Sequence, residues 1–158
     1  MKYRLEFETI IECRQEELFD FHANTKNLPL ITPKDIKVEI IKLDEPLQEG
    51  NEVVLKIKKA LFGFVWELVF AKVQKPSLIV DKAIKSPFKS FVHEHHFIAI
   101  NDKETMLKDI VTFELPFAPL SNPVAWFIKH DMQQMFIHRH KATLEYFQAE
   151  VMKKSLHP

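Results

Sequence analysis

The sequence predicts an α+β domain in which a curved, mostly antiparallel sheet of seven strands wraps around one long C-terminal helix. Two patterns predict this fold class. Seven segments show the apolar–polar alternation of β-strands, and short connections join nearly all of them. After Pro123, by contrast, no residue up to about Lys154 interrupts a helix. Because the chain has 158 residues, we expect a single domain spanning residues 1–158.

The strand pattern is clear at the N-terminus, where Tyr3, Leu5 and Phe7 share one face of the first strand. The loop 101–104 is typical of a hairpin turn, and similarly short connections elsewhere favour antiparallel pairing. The predicted strands cover residues 2–12, 36–44, 52–59, 64–74, 78–85, 90–100 and 105–115.

Two short helices are predicted between the first and second strands. They lie within residues 15–31 and are broken near Asn24 and Pro29.

The long helix begins with Asn122, a good N-cap, and Pro123, which suits the first helical position. Residues 155–158 are expected to fray. The predicted inner stripe of this helix comprises Val124, Ile128, Met132, Met135, Phe136, Arg139, Thr143 and Tyr146. Spacings of eight and two do not align the three helix histidines on one face, so we expect solvated positions for His130, His138 and His140.

The composition excludes several classes of protein. Two glycines are too few for a phosphate-binding loop, so no nucleotide cofactor is expected. Lys+Arg and Asp+Glu both number 22, which argues against a nucleic-acid partner. The chain has no secretory signal and no apolar run of membrane-spanning length, so we expect a cytoplasmic protein without integral membrane association. The single cysteine, Cys13, excludes an intrachain disulfide and is expected to be a small buried side chain.

A sheet that curls around a helix leaves space between them that side chains do not fill completely. We therefore expect a cavity lined by the inner face of the sheet and the inner stripe of the helix. The 14 phenylalanines of the chain suit such a lining.

The order of elements is that of the helix-grip fold, and the chain resembles the START-like superfamily. That superfamily includes plant pollen-allergen proteins, polyketide cyclases and lipid-transfer domains. The motifs are more similar to one bacterial branch of ligand-binding proteins, labelled SRPBCC. The segments that carry the resemblance are FDFHANTKNLPLITP, DKAIKSPFKSFVHEHHF, DIVTFELPFAPLSNP and MFIHR.

Individual positions keep the motifs of that branch, and others depart from them. The matching positions are Asp81, Pro87, Phe88, His93, His95, Phe97, Asp109, Val111, Pro116, Phe117, Met135, Phe136 and Arg139. Ser86 and Ala118 replace glycines, Phe91 replaces a tryptophan and Phe113 replaces a tyrosine. The resemblance implies a helix-grip domain that binds a ligand between sheet and helix.

The stretch SFVHEHHF places two histidines on the inner face of its strand. Alternation puts Phe91, His93, His95 and Phe97 on one side of the strand. In the next strand, the set with Asp109 is otherwise apolar and is assigned inward, and the companion assignment puts the two histidines inward as well. If Ile100 pairs with Glu104, His95 lies directly opposite Asp109.

Four interpretations of this pair are open. The one we favour is structural: His95 satisfies Asp109, because a buried carboxylate needs a partner. The second is a polar end to the cavity that orients a ligand, joined by Arg139. The third is acid–base catalysis by His95 with Asp109 as its orienter. The fourth is a metal site with Asp109 as a third ligand, but no fourth ligand is evident, so no metal is predicted.

We expect the domain to bind a small hydrophobic or amphipathic molecule. The predicted apolar wall comprises Trp66, Phe70, Phe91, Phe97, Phe113, Met135 and Phe136. The predicted polar groups are His93, His95, Asp109 and Arg139, with Asp81 as a candidate partner of Arg139. One alternative is a cyclase-type or hydratase-type enzyme that uses the His95–Asp109 pair. A second is a protein-interaction module without a ligand, which a filled core and an exposed apolar patch would favour.

Overall fold

Seven antiparallel strands form one sheet in the computed structural model, which describes residues 1–117, 120 and 122–156. The spatial order is β1-β7-β6-β5-β4-β3-β2, so consecutive strands are neighbours except that β1 lies beside β7. The strands are β1 Lys2–Ile11, β2 Ile36–Leu43, β3 Glu52–Lys59, β4 Phe62–Gln74, β5 Leu78–Lys85, β6 Ser90–Ala99 and β7 Thr105–Glu114.

Four predicted strands end one residue earlier in the structure, and one boundary differs by two residues. Strand β4 begins at Phe62 rather than residue 64, because the β3–β4 turn uses only Ala60 and Leu61 between the paired residues Lys59 and Phe62. Ala60 adopts φ 52, the left-handed conformation that two-residue hairpin turns require.

Helix α1 (Gln15–Ala23), a short 3₁₀ helix (Thr25–Ile31) and the long helix α2 (Asn122–Leu156) complete the fold. This arrangement confirms the predicted helix-grip fold. The break at Asn24 is as predicted, but Pro29 lies within the 3₁₀ helix and does not interrupt it. Residues 155–156, for which fraying is predicted, belong to α2, which continues through Leu156. The side chain of Asn122, and with it the predicted cap, and residues 157–158 lie outside the described part of the chain. Within the described part, no helix is long and apolar enough to cross a membrane.

The inner stripe of α2 differs from the predicted one at its two ends, while the six predicted residues between them line the space under the sheet: Ile128, Met132, Met135, Phe136, Arg139 and Thr143. Val124 and Tyr146 are 49% and 38% exposed, whereas Ala125 and Phe147 are buried. Ala125 and Phe147 each lie eleven residues from Phe136, which is close to three helical turns, so they share its face of the helix. Val124 and Tyr146 lie one residue away from that face. The same stripe buries His140, which is 5% exposed; the prediction that it is solvated is wrong, while His130 and His138 are exposed.

The core lies between the inner face of the sheet and α2. Phe113 is fully buried, with its ring 5.3 Å from those of Tyr3 and Phe88. Cys13 is buried as predicted, and burial raises the pKa of its thiol to about 12.

Replacing Phe113 by alanine should lower the free energy of unfolding by about 3–5 kcal/mol, because it removes a packed ring and leaves a cavity. The matched control is Phe62→Ala, since Phe62 is 78% exposed and its loss should change stability by less than about 0.5 kcal/mol. Urea denaturation of both variants measures the difference. Equal midpoints would contradict the packing described for Phe113.

Candidate functional site

A cavity of about 320 Å³ lies between the inner face of the sheet and helix α2. Five residues of the predicted apolar wall line it: Trp66, Phe70, Phe91, Met135 and Phe136. The remaining wall includes Leu28 and Ile31 of the 3₁₀ helix and Val38 of β2, which sequence reasoning did not include.

Two predicted wall residues, Phe97 and Phe113, are not among the residues that line the cavity. Both rings point inward as the alternation predicts, but other groups occupy the space in front of them. Phe97 packs against Phe19 and His22 of α1, with ring centroids 5.5 and 5.3 Å apart. Phe113 packs in the aromatic cluster with Tyr3 described above. The prediction that these two rings form the wall is therefore wrong.

The polar end of the cavity is a cluster that we call the His–Asp cluster: Asp81, His93, His95, Asp109 and His140. Strand register brings four of its members together, because Asp81 pairs with His93 across β5 and β6, and His95 pairs with Asp109 across β6 and β7. The second pairing is the one predicted from the hairpin, and the backbone bond from Ile100 to Glu104 confirms it.

Asp109 is 3% exposed and contacts three imidazole rings. Its Oδ1 lies 2.9 Å from Nδ1 of His95 and 3.2 Å from Nε2 of His93. These are close ion-pair contacts, but their angles fall outside hydrogen-bond geometry. Its Oδ2 accepts a hydrogen bond of 3.0 Å from Nε2 of His140. The carboxylate thus joins strand β6 to helix α2.

His140 extends this connection to β1, because its Nδ1 lies 2.8 Å from the hydroxyl of Thr9. A carboxylate only accepts hydrogen bonds, so Nε2 of His140 carries the proton donated to Asp109. In the neutral ring, Nδ1 then accepts the Thr9 hydroxyl proton. Sequence reasoning missed His140 because it treated the three helix histidines together, and their spacings do not align them on one face.

Asp81 contacts the same two strand histidines from the other side. Its Oδ2 lies 3.3 Å from Nε2 of His95 and 3.7 Å from Nδ1 of His93. The predicted pairing of Asp81 with Arg139 does not form, because Asp81 faces the strand histidines instead.

Charge and burial act on these groups in opposite directions. Burial alone would raise the pKa of Asp109, but the neighbouring histidines His95, His93 and His140 hold it well below its usual range. Burial opposes protonation of His95, yet the charge of Asp109 and bonds to both carboxylates raise the pKa of His95 to about 9. The pKa of His93 is lowered by burial and by the adjacent His95, whose ring centroid is 3.7 Å away.

His22 of α1 also lines the cavity, and the sequence did not single it out. Its Nδ1 donates to the carbonyl of Leu18 at 2.9 Å. Burial and then the charge of His95 lower the pKa of His22 to about 4, so the ring is neutral at neutral pH. Its ring centroid lies 5.6 Å from that of His95.

Arg139 lines the cavity as predicted, and its guanidinium lies over the Phe136 ring at 5.3 Å. Burial lowers the pKa of Arg139, and the charges of Asp109 and Asp81 oppose that shift. Among the described residues, no carboxylate lies within 4 Å of this guanidinium, and its buried Nε has no hydrogen-bond partner. The cavity therefore contains a cation without a close counter-ion in the described part of the chain.

The model for the family "Polyketide cyclase / dehydrase and lipid transport" matches residues 11–141. The chain belongs to this family. Its description fits a role in binding small hydrophobic molecules. A comparison with curated proteins gave no match.

Solved structures share the fold of this polyketide cyclase family member. The Zhui aromatase/cyclase from a Streptomyces species has a TM-score of 0.78 at 13% identity, with 96% of each chain covered. A norcoclaurine synthase point mutant from Thalictrum flavum has a TM-score of 0.67 at 15% identity, with 92% of this chain and 96% of that chain covered. A Staphylococcus aureus protein of unknown function has the same TM-score and identity, with coverages of 94% and 97%. At these identities the likeness establishes the START-like, helix-grip fold alone.

Replacing Asp109 by alanine should lower the free energy of unfolding by about 3–5 kcal/mol, because it leaves buried histidines without their carboxylate. The matched control is Asp20→Ala, which removes an exposed ion pair with Lys75 at 2.7 Å and should cost no more than about 1 kcal/mol. Thermal and urea denaturation compare the two variants. A stability loss in Asp109→Ala as small as that of the control would contradict the burial of Asp109.

Proposed function

We propose that the protein binds a small amphipathic molecule, with its apolar body in the cavity and an oxygen-bearing head group beside Arg139. The observation that carries this proposal is the cavity of about 320 Å³, whose walls are mostly apolar and whose inner end is charged. This volume lies in the range of roughly 300–1,000 Å³ that small-molecule sites occupy. Burial of apolar ligand surface, at about 25 cal/mol per Å², would drive binding.

Two buried donors support a ligand that carries hydrogen-bond acceptors. Within the described residues, neither Nε1 of Trp66 nor Nε of Arg139 has a hydrogen-bond partner, and both residues line the cavity. A buried donor without a partner costs about 1–3 kcal/mol. A carboxylate, sulfonate, enolate or carbonyl oxygen on the ligand would relieve that cost at Arg139 and add charge pairing.

The walls of the cavity can adjust to ligands of different shapes. Met132 and Met135 of α2 lie on one side of the cavity, and unbranched thioether side chains adjust to different shapes. Trp66 and Phe91 on the sheet side provide flat aromatic surface, with centroids 4.8 Å apart in an edge-to-face arrangement. A ring-containing or branched apolar body fits this combination.

The cavity supports this proposal over a protein-interaction module, which a filled core and an exposed apolar patch would favour. The cyclase-type or hydratase-type alternative uses the same cavity, and the contact between His95 and Asp109 is the observation in its favour. We also propose a cytoplasmic location; the single, buried Cys13 is compatible with it.

Native mass spectrometry of the purified protein, followed by solvent extraction, should detect a discrete bound molecule with an apolar body and an acidic or carbonyl group. Met135→Trp should abolish that extra mass, because the larger ring fills the cavity. The control is Ile137→Trp on the outer side of α2, where residue 137 is 53% exposed and retention of the ligand is expected. Retention by both variants would refute the cavity as the binding site. Conversion of an added ligand into a new product would support the enzyme alternative instead.

A pair of fluorescent probes tests the role of Arg139. Anilinonaphthalene sulfonate carries an anionic group, and N-phenyl-naphthylamine has nearly the same apolar body without that charge. Arg139→Met should weaken binding of the sulfonate at least about tenfold, the equivalent of ~1.4 kcal/mol, because it removes a charged hydrogen bond. Binding of the neutral probe should change little, and Arg139→Lys should restore part of the sulfonate affinity. Equal losses for both probes would mean that Arg139 only maintains the shape of the cavity.

A further inference from the structure

Asp81, His93 and His95 direct donor atoms towards one point at the inner end of the cavity. One donor atom from each of these residues lies within 4.8 Å of the other two. The separations from Asp81 Oδ2 are 3.3 Å to His95 Nε2 and 3.7 Å to His93 Nδ1. In a tetrahedral zinc site, bonds of about 2.0–2.1 Å place donor atoms roughly 3.3–3.4 Å apart. The two separations from Asp81 lie within about 0.4 Å of that value.

We propose that Asp81, His93 and His95 bind a divalent transition-metal ion of the Zn²⁺ type at the inner end of the cavity. Two imidazoles and one carboxylate are donors that zinc and similar ions prefer. Sequence reasoning predicted no metal because, with Asp109 as the third ligand, no fourth ligand was evident. The structure brings Asp81 to the histidines and gives Asp109 a different position.

The hydrogen-bond accounting of the two rings supports a cation between them and Asp81. Each imidazole has one nitrogen near Asp81 and the other near Asp109, which makes four contacts of 2.9–3.7 Å. A neutral imidazole has a single N–H, so two neutral rings leave two nitrogen lone pairs facing carboxylate oxygens. Within the described residues, the nitrogens of both rings that face Asp109 have no hydrogen-bond partner, and neither does Oδ1 of Asp109. A metal ion on the Asp81 side would use the nitrogen lone pairs that face Asp81.

Asp109 has the position of an outer-shell ligand. Metal-binding histidines usually donate their second N–H to a carboxylate or carbonyl, which fixes ring orientation and tautomer. Here Oδ1 of Asp109 faces the second nitrogen of both His93 and His95. Its other oxygen is held by His140, so the carboxylate cannot turn away without breaking a buried hydrogen bond. Such a prearranged second shell is not needed for a purely structural histidine–aspartate pair.

The charges of the cluster also suit a divalent ion. Asp81 and Asp109 are both buried, at 7% and 3% exposure, and two buried carboxylates need about two positive charges nearby. A divalent ion with two neutral imidazoles supplies them. Three protein ligands would leave a coordination position directed to the cavity, where water or the oxygen of a bound molecule could enter.

Metal titration of the untagged protein tests the proposal without any organic ligand, so its failure is distinct from failure of the proposed function. After removal of metals with a chelator, Co²⁺ should bind with one equivalent per chain and produce the visible absorption bands of a four-coordinate nitrogen–oxygen site. One equivalent of Zn²⁺ should abolish those bands and raise the melting temperature. Absence of stoichiometric binding by the folded wild-type protein would overturn the proposal.

Variants locate the bound ion. Asp81→Asn keeps the side-chain size but should eliminate stoichiometric binding, and Asp109→Asn should weaken it about 10–100-fold through the second shell. Two controls should bind like the wild type: His96→Ala, whose ring pairs with Glu94, and the double variant His130→Ala/His138→Ala, which removes exposed helix histidines. Unchanged binding in Asp81→Asn, or its loss in the double variant, would refute the site.

If the variants do not fold, nitrogen-15 NMR spectra of the histidine rings of the wild-type protein show which histidines bind the metal ion. Addition of zinc should change the nitrogen-15 chemical shifts of the His93 and His95 rings and leave those of the His96 and His130 rings unchanged. Shifts confined to exposed histidines would overturn the proposal.

Discussion

The buried carboxylate of Asp109 is the constraint on which the arrangement of this domain depends. A carboxylate with almost no exposure is stable only if both of its oxygens are paired, and the two oxygens are paired by different elements. One oxygen faces the histidines of β6, and the other accepts from His140 of α2. Since His140 also contacts Thr9 of β1, a single charge fixes the rotation of the long helix relative to the sheet. A rotation of α2 by one residue would leave Asp109 with an unpaired oxygen.

The cavity follows from the same constraint. Asp109 and His140 hold α2 against β1 and β7, close to one edge of the sheet, and the cavity lies between the helix and the strands farther from that edge. The space between is bounded by rings and aliphatic side chains that do not reach one another, and the 3₁₀ helix covers part of it. Tight packing near Asp109 and an open volume beyond it are thus two results of one helix position. The polar cluster and the apolar walls meet at that boundary.

Much of this arrangement could be predicted from the sequence, and the failures have physical causes. The β6–β7 register was predictable because a short hairpin turn and two alternating strands admit one consistent pairing. The β5–β6 register was not predictable, because Pro87 lies in an irregular connection between the two strands. The pairing of Asp81 with His93 therefore could not be predicted. His140 was missed because the spacings of the three helix histidines do not align them on one face, and only tertiary packing decides how deeply each is buried. Phe91 and Phe97 share one strand face, but the position of α1, which alternation does not encode, excludes Phe97 from the cavity.

The neighbouring positions of β1 and β7 have a consequence for biosynthesis. Lys2 pairs with Glu114, so β1 leaves the ribosome before the other six strands of the sheet but has no partner until β7, the last of them, has been made. During that interval its apolar face, with Leu5 and Phe7, is open to wrong partners, and late long-range pairing of this kind slows folding. His140, which reaches Thr9 on β1, is synthesised later still. The polar contacts that complete the domain therefore form only after α2 has been translated as far as His140.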